Sequence, residues 1–142
     1  MDIIDHAAQP LDEWREGVLT RMLVSALTGA GHLCAFEQFC DPGRGAPTHR
    51  HAVEEVLTVL EGTAELWIDG ERATLAAGRS VAVAAGRGHG FRNAGPTTLH
   101  VRAILAAPVF EAWFDGEAEA RRRWPPEPAS SPGAPSRGPS SA

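Results

Sequence analysis

The stretch GRGAPTHRHAVEEVLTVLEG, Gly43 to Gly62, holds His49, His51 and Glu55, and a later stretch, GRSVAVAAGRGHGFRN from Gly78 to Asn93, adds His89. Three imidazoles and a carboxylate brought together on β-strands make a competent site for a divalent transition metal. Alternate residues of an extended chain face the same side, so His49 and His51 project together while Arg50 points away. Glu55 shares their parity and Glu54 does not, provided the chain stays extended from Ala52 to Glu54. Glu55 is therefore the expected fourth ligand. In the second stretch Val81, Val83 and Ala85 share a face and Gly86-Arg87-Gly88 turns the chain. Phe91 and Asn93 then take the parity of His89, which makes Phe91 a candidate wall of an apolar pocket beside the metal.

Outward from these stretches the chain reads as short strands. Gly17 to Leu27 and His32 to Cys40 form an expected hairpin about Gly29-Ala30-Gly31, and Asp41-Pro42-Gly43 breaks the second strand. Ala64, Leu66 and Ile68 alternate with Glu65, Trp67 and Asp69, a half-buried strand pattern. Asp69-Gly70 is a hairpin signal, because a type I′ turn wants positive φ at both central residues. Arg72 to Ala76, Ser80 to Ala85 and Thr98 to Ala107 supply further strands. In the last, His100 and Arg102 oppose Leu99, Val101, Ala103 and Leu105. Many short strands punctuated by glycine predict an all-β antiparallel sandwich or barrel.

The first stretch resembles the first signature motif of the cupin superfamily through Gly43, His49, His51, Glu55 and Gly62. The second resembles the other motif through Gly78, Gly86, His89 and Asn93, with Ala84 where proline is usual. The two motifs cover about a quarter of the chain. The resemblance implies a cupin-type antiparallel β-barrel or jelly roll holding one divalent transition metal per chain on His49, His51, Glu55 and His89. It also implies a small-molecule substrate, and it favours a homodimer.

The ends differ from the middle. Residues 1–16 read as an N-terminal arm, irregular from Met1 to Arg15, 17–124 as a single domain, and 125–142, rich in Pro, Ser, Ala and Gly, as a disordered tail. Phe110, Trp113, Phe114, Ala120 and Trp124 fall near helical spacing. Glu117/Arg121 and Glu119/Arg123 are i,i+4 pairs, so a short C-terminal helix is expected.

A formal charge of −5 argues against a nucleic-acid or anionic-membrane surface. All 13 basic residues are Arg and the chain has no Tyr. Lysine Schiff-base chemistry and a tyrosine acid are thereby removed, leaving Glu, His, Arg and the metal. Cys34 and Cys40 share one predicted strand, roughly 20 Å apart, and cannot bridge there. A reduced, cytoplasmic protein with no membrane span is the expectation.

Three imidazoles and one carboxylate leave a six-coordinate divalent ion with two open positions. The set suits Fe(II), Mn(II), Ni(II), Co(II) or Zn(II) without choosing among them. The resemblance then offers an oxygen-using enzyme like the cupin dioxygenases, with Phe91 and Phe36 as a dry wall. It also offers a non-redox isomerase, cyclase or lyase, and a metal-holding protein that binds a small molecule without turnover. His100 is a candidate pocket base or, alternatively, a barrel-surface or satisfied core residue. Arg21, Arg92 and Arg102 are candidates for a substrate anion.

Overall fold

The computed structural model describes residues 1–128. Its strands, in chain order, are β1 Asp12–Arg15, β2 Val18–Val24, β3 Cys34–Cys40, β4 Gly45–Arg50, β5 Glu55–Glu61 and β6 Thr63–Ile68, then β7 Glu71–Ala76, β8 Arg79–Val83, β9 His89–Asn93, β10 Leu99–Leu105, β11 Phe110–Phe114 and β12 Arg121–Arg123. They make two six-stranded sheets, β1-β2-β3-β10-β5-β8 and β12-β11-β4-β9-β6-β7. Every paired neighbour is antiparallel. This is the jelly-roll barrel expected of the sequence.

The period of two explains which face goes inward. In β10, Leu99, Val101, Ala103 and Leu105 are buried while Arg102 and Ile104 between them are exposed. Inward side chains of the first sheet, such as Phe36, Leu57 and Val101, share one core with Ala46, Leu66 and Phe91 of the second. At the β6–β7 corner Asp69 has φ 47° and Gly70 φ 85°, both positive as a type I′ turn requires, and Ile68 pairs with Glu71. Cys34 and Cys40, at the two ends of β3, are buried and free.

Three expectations are corrected. The short C-terminal helix is absent: Phe110–Phe114 is β11 and pairs with β12. Phe110, Ala112 and Phe114 are buried while Trp113 is exposed, a strand alternation. Gly116, at φ 83°, then turns the chain back, which a continuing helix forbids. The Glu117–Arg121 pair does form, at 2.7 Å, but between the loop that follows Gly116 and the start of β12. Second, the arm over residues 1–16 is not wholly irregular, because β1 pairs with β2 and Trp14 packs against the core. Third, the stretch from Gly17 to Leu27 is strand only as far as Val24 and ends in a 3-10 turn, Ala26–Thr28. Of the tail expected over 125–142, positions 129–142 lie outside the described residues. No helix among the described residues is long and apolar enough to cross a membrane.

Candidate metal centre

The ends of three strands converge at one mouth of the barrel. His49 is on β4, His51 follows that strand directly, Glu55 opens β5 and His89 opens β9. The motif glycines Gly43, Gly62, Gly78 and Gly86 all have φ between 80° and 84°, where a Cβ is strained, so they set the corners that deliver these strands. Gly86 N–H donates to His51 O at 2.8 Å, tying the β8–β9 turn to the His51 backbone. Asn93 at the far end of β9 donates to Cys40 O at 3.0 Å and to Thr97 O at 2.7 Å, fixing that strand to β3 and the loop beyond.

The expected ligands come together. One donor atom from each of His49, His51, Glu55 and His89 lies within 4.8 Å of the others, and all four residues are buried. That is about the span of two metal–ligand bonds of roughly 2.1 Å each.

The tautomers follow from the backbone. His49 Nδ1–H donates to Pro47 O at 2.7 Å, His51 Nδ1–H to Glu111 O at 2.7 Å, and His89 Nδ1–H to Arg87 O at 2.9 Å. A carbonyl oxygen only accepts, so each Nδ1 carries the proton and each neutral ring turns an Nε2 lone pair inward. His89 Nε2 then sits 2.9 Å from Glu55 Oε1, and His51 Nε2 lies 3.3 Å from Glu55 Oε2. Lone pairs and a carboxylate crowded this way demand a cation between them. His51 Nε2 is buried and lacks a hydrogen-bond partner among the described residues, its contact with Glu55 being one of proximity without hydrogen-bond direction. The donor set therefore fits a divalent metal ion.

Electrostatics agree with that fit. Burial, reinforced by His89, pushes the His49 imidazole down to about 3, so it stays neutral and able to ligate. Burial also opposes charge on His51, but the adjacent Glu55 carboxylate outweighs it and holds His51 above its usual value. For Glu55, burial favours the neutral acid, but when protons on Nε2 of His51 and His89 stand in for a metal cation, their hydrogen bonds outweigh burial and hold the carboxylate well below its ordinary range.

Beside this cluster lies a cavity of about 20 Å³, lined by His49 and Glu55 and walled by Trp14, Phe36, Phe91, Phe110 and Phe114. Phe91 and Phe36, read from the sequence as pocket residues, are on that wall. His100 is not. It belongs to the outward parity of β10, stacks on Phe39 at 4.3 Å and meets Glu37 Oε2 at 3.0 Å, so it is a surface-sheet residue and no pocket base. Arg21 likewise pairs with Glu37 at 2.9 Å, Arg92 with Glu65 at 3.3 Å, and Arg102 is exposed; none lines the cavity.

Sequence reasoning missed Trp14, Arg15, Phe110 and Phe114. The alternation of Phe110, Ala112 and Phe114 was the available signal for the last two. Phe110 lies 4.8 Å from Trp14 and 5.5 Å from His51, joining the aromatic wall to a ligand ring. Phe114 stacks on His49 at 5.0 Å.

A cupin domain family model matches residues 36–105, which span both ligand stretches. Auxin-binding protein 1 of Arabidopsis thaliana is 27% identical over 132 residues, covering 82% of this chain and 67% of that protein. An RmlC-like cupin from Shewanella frigidimarina superposes with TM-score 0.66 at 23% identity, over 76% of this chain and 91% of that one. The polyketide cyclase RemF from Streptomyces resistomycificus gives TM-score 0.66 at 22% identity, over 74% and 78%. With the barrel, the motif glycines and the four converging donors already in place, these matches make the chain a small member of the cupin superfamily.

Proposed function

We propose that this protein is a metal-dependent enzyme acting on a small molecule, and that its reaction is of the oxygen-using, dioxygenase type. The carrying observation is the composition of the cavity wall: among the described residues, apart from His49, Glu55 and Arg15, it presents no ionisable side chain. Chemistry that needs a dedicated protein acid or base finds none there. Chemistry that needs a metal with open positions and a dry surround is well served. A bound divalent ion such as Fe(II) would supply the open coordination positions at which substrate and O2 meet.

The chain's own groups do the rest. His49, His51 and His89 hold their rings by Nδ1–H donation to backbone carbonyls, which fixes the direction of each Nε2. Glu55 balances one unit of positive charge and, with two oxygens facing His51 and His89, can take up a proton as substrate docks. Phe36, Phe91 and Phe110 exclude water from the reacting face.

A second reading, non-redox Lewis-acid catalysis, is favoured by the similarity of fold to a polyketide cyclase. One experiment separates the two. Protein reconstituted with Fe(II) or Zn(II) is assayed for O2 uptake with a panel of small enolisable compounds, in air and under argon. O2 consumption with Fe(II) alone supports the oxygenase. Turnover that persists under argon with Zn(II) removes it in favour of the second reading.

A further inference from the structure

Among the described residues, Arg15 is the one arginine on the wall of the metal cavity. It arrives there through an irregularity of β1. The ladder with β2 slips between Glu13 and Arg15, so Trp14 and Arg15 together oppose Val18 where one residue should stand. In a regular strand two successive side chains point to opposite faces. A bulge relieves that constraint, and here both Trp14 and Arg15 line the cavity.

The guanidinium is incompletely used. One N–H donates to Gly45 O at 3.1 Å, and Arg15 forms no ion pair among the described residues. It lies 5.4 Å from the centre of the Phe114 ring, whose stack on His49 makes Phe114 the single ring between Arg15 and a ligand. Arg121 also sits over Phe114, at 5.4 Å, and Arg123 over Trp14, at 5.3 Å. Burial first, then the nearness of Arg121, lowers the Arg15 pKa, with Glu117 acting in the opposite direction.

Arg15 also stands at a boundary. With Ala46 and Phe91 it lines both the inner cavity and an outer cleft of about 540 Å³. The cleft is of a size that receives ligands, whereas the inner cavity admits only a small polar head.

We propose that Arg15 is the specificity-determining residue of this site and receives the carboxylate of a small organic acid whose second oxygen donor faces His49 and Glu55. The proposal rests on reading the site as a metal centre. A planar guanidinium fork matches a carboxylate bidentately, and the metal with its single carboxylate ligand leaves a further positive charge for the anion to meet.

The test is calorimetric titration of the full chain, loaded with Mn(II), with two- to five-carbon dicarboxylic and 2-oxo acids and with their methyl esters. At least one acid is expected to bind, its ester far more weakly. Arg15→Gln should lower the affinity about tenfold or more, and Arg15→Lys by less, with metal content and melting temperature of both variants unchanged. Binding of the acids to Arg15→Gln as tightly as to wild type overturns the proposal, and so does a panel in which no acid binds. Should Arg15→Gln fail to fold, Arg15→Lys and the ester comparison decide. A wild-type chain that takes up no metal sinks the metal reading instead, and titration of the metal-free chain then judges Arg15 separately by the same ester and Arg15→Gln contrasts.

Discussion

His49 and His89 are register partners across the β4–β9 ladder, with ring centroids 4.3 Å apart. Two strands forty residues apart in sequence thus bring two imidazoles side by side, their planes tilted by 50°, without any loop having to position them. The rigidity of that pairing is what makes the cluster a coordination site.

Metal content should follow the four donors. His49→Ala, His89→Ala and Glu55→Ala are each expected to reduce bound metal from about one ion per chain to almost none, because a four-donor set loses an anchoring ligand. Glu54→Ala should leave it intact, since Glu54 lies outside the cluster. Elemental analysis of the purified variants checks this, and loss of metal on Glu54→Ala but not on Glu55→Ala would reverse the assignment.

That assignment was legible in the sequence for a partly mistaken reason. The parity count ran from His51 through an assumed extended stretch, but the chain bends at Ala52 and Val53. Glu55 points inward because it opens β5, whose Leu57 and Val59 are the buried alternates. Counting backward from those residues gives the right answer without the assumption. The barrel was readable because every strand alternates and its corners carry glycine. The C-terminal strands were not, since Phe110, Trp113 and Phe114 satisfy both a helical and a strand spacing and only Gly116 and the partner strand decide. Arg15 carried no local signal at all: its place depends on a bulge against β2.

Buried Cys34 and Cys40 should be inert. Burial pushes the Cys34 thiol up to about 11 and the Cys40 thiol up to about 12, so at pH 8 almost no thiolate is present in the folded protein. Native protein is expected to show negligible labelling by a thiol reagent, and two labels per chain after denaturation. Rapid labelling of the native state would contradict the burial of β3.

Asn93 should act on stability and spare the metal. Its side chain donates to Cys40 O and Thr97 O and accepts from Gly95 N–H at 2.9 Å, in a fully enclosed position. Asn93→Ala leaves these buried partners unsatisfied, a cost of about 2–4 kcal/mol. Denaturant titration should show that loss while elemental analysis shows unchanged metal at a temperature where the variant stays folded.

On the outer face of the first sheet, Glu37 joins Arg21 and His100, at 2.9 and 3.0 Å. Burial works against its ionisation, but the hydrogen bonds from His100 and Arg21 outweigh it and hold its carboxyl below the usual value. A carboxylate depressed in the folded state contributes stability in full above its unfolded pKa, near 4.3, and loses it as pH falls through the folded value. Glu37→Gln removes the charge but keeps the shape, and should cost about 1–3 kcal/mol at pH 7. The difference from wild type should stay flat from neutral pH to about pH 5 and shrink below it, when both proteins are followed metal-free by urea titration so that release of metal does not enter. A difference that grew as the pH fell below about 5 would mean that Glu37 is protonated in the fold, and that its contacts with Arg21 and His100 are not those of a carboxylate.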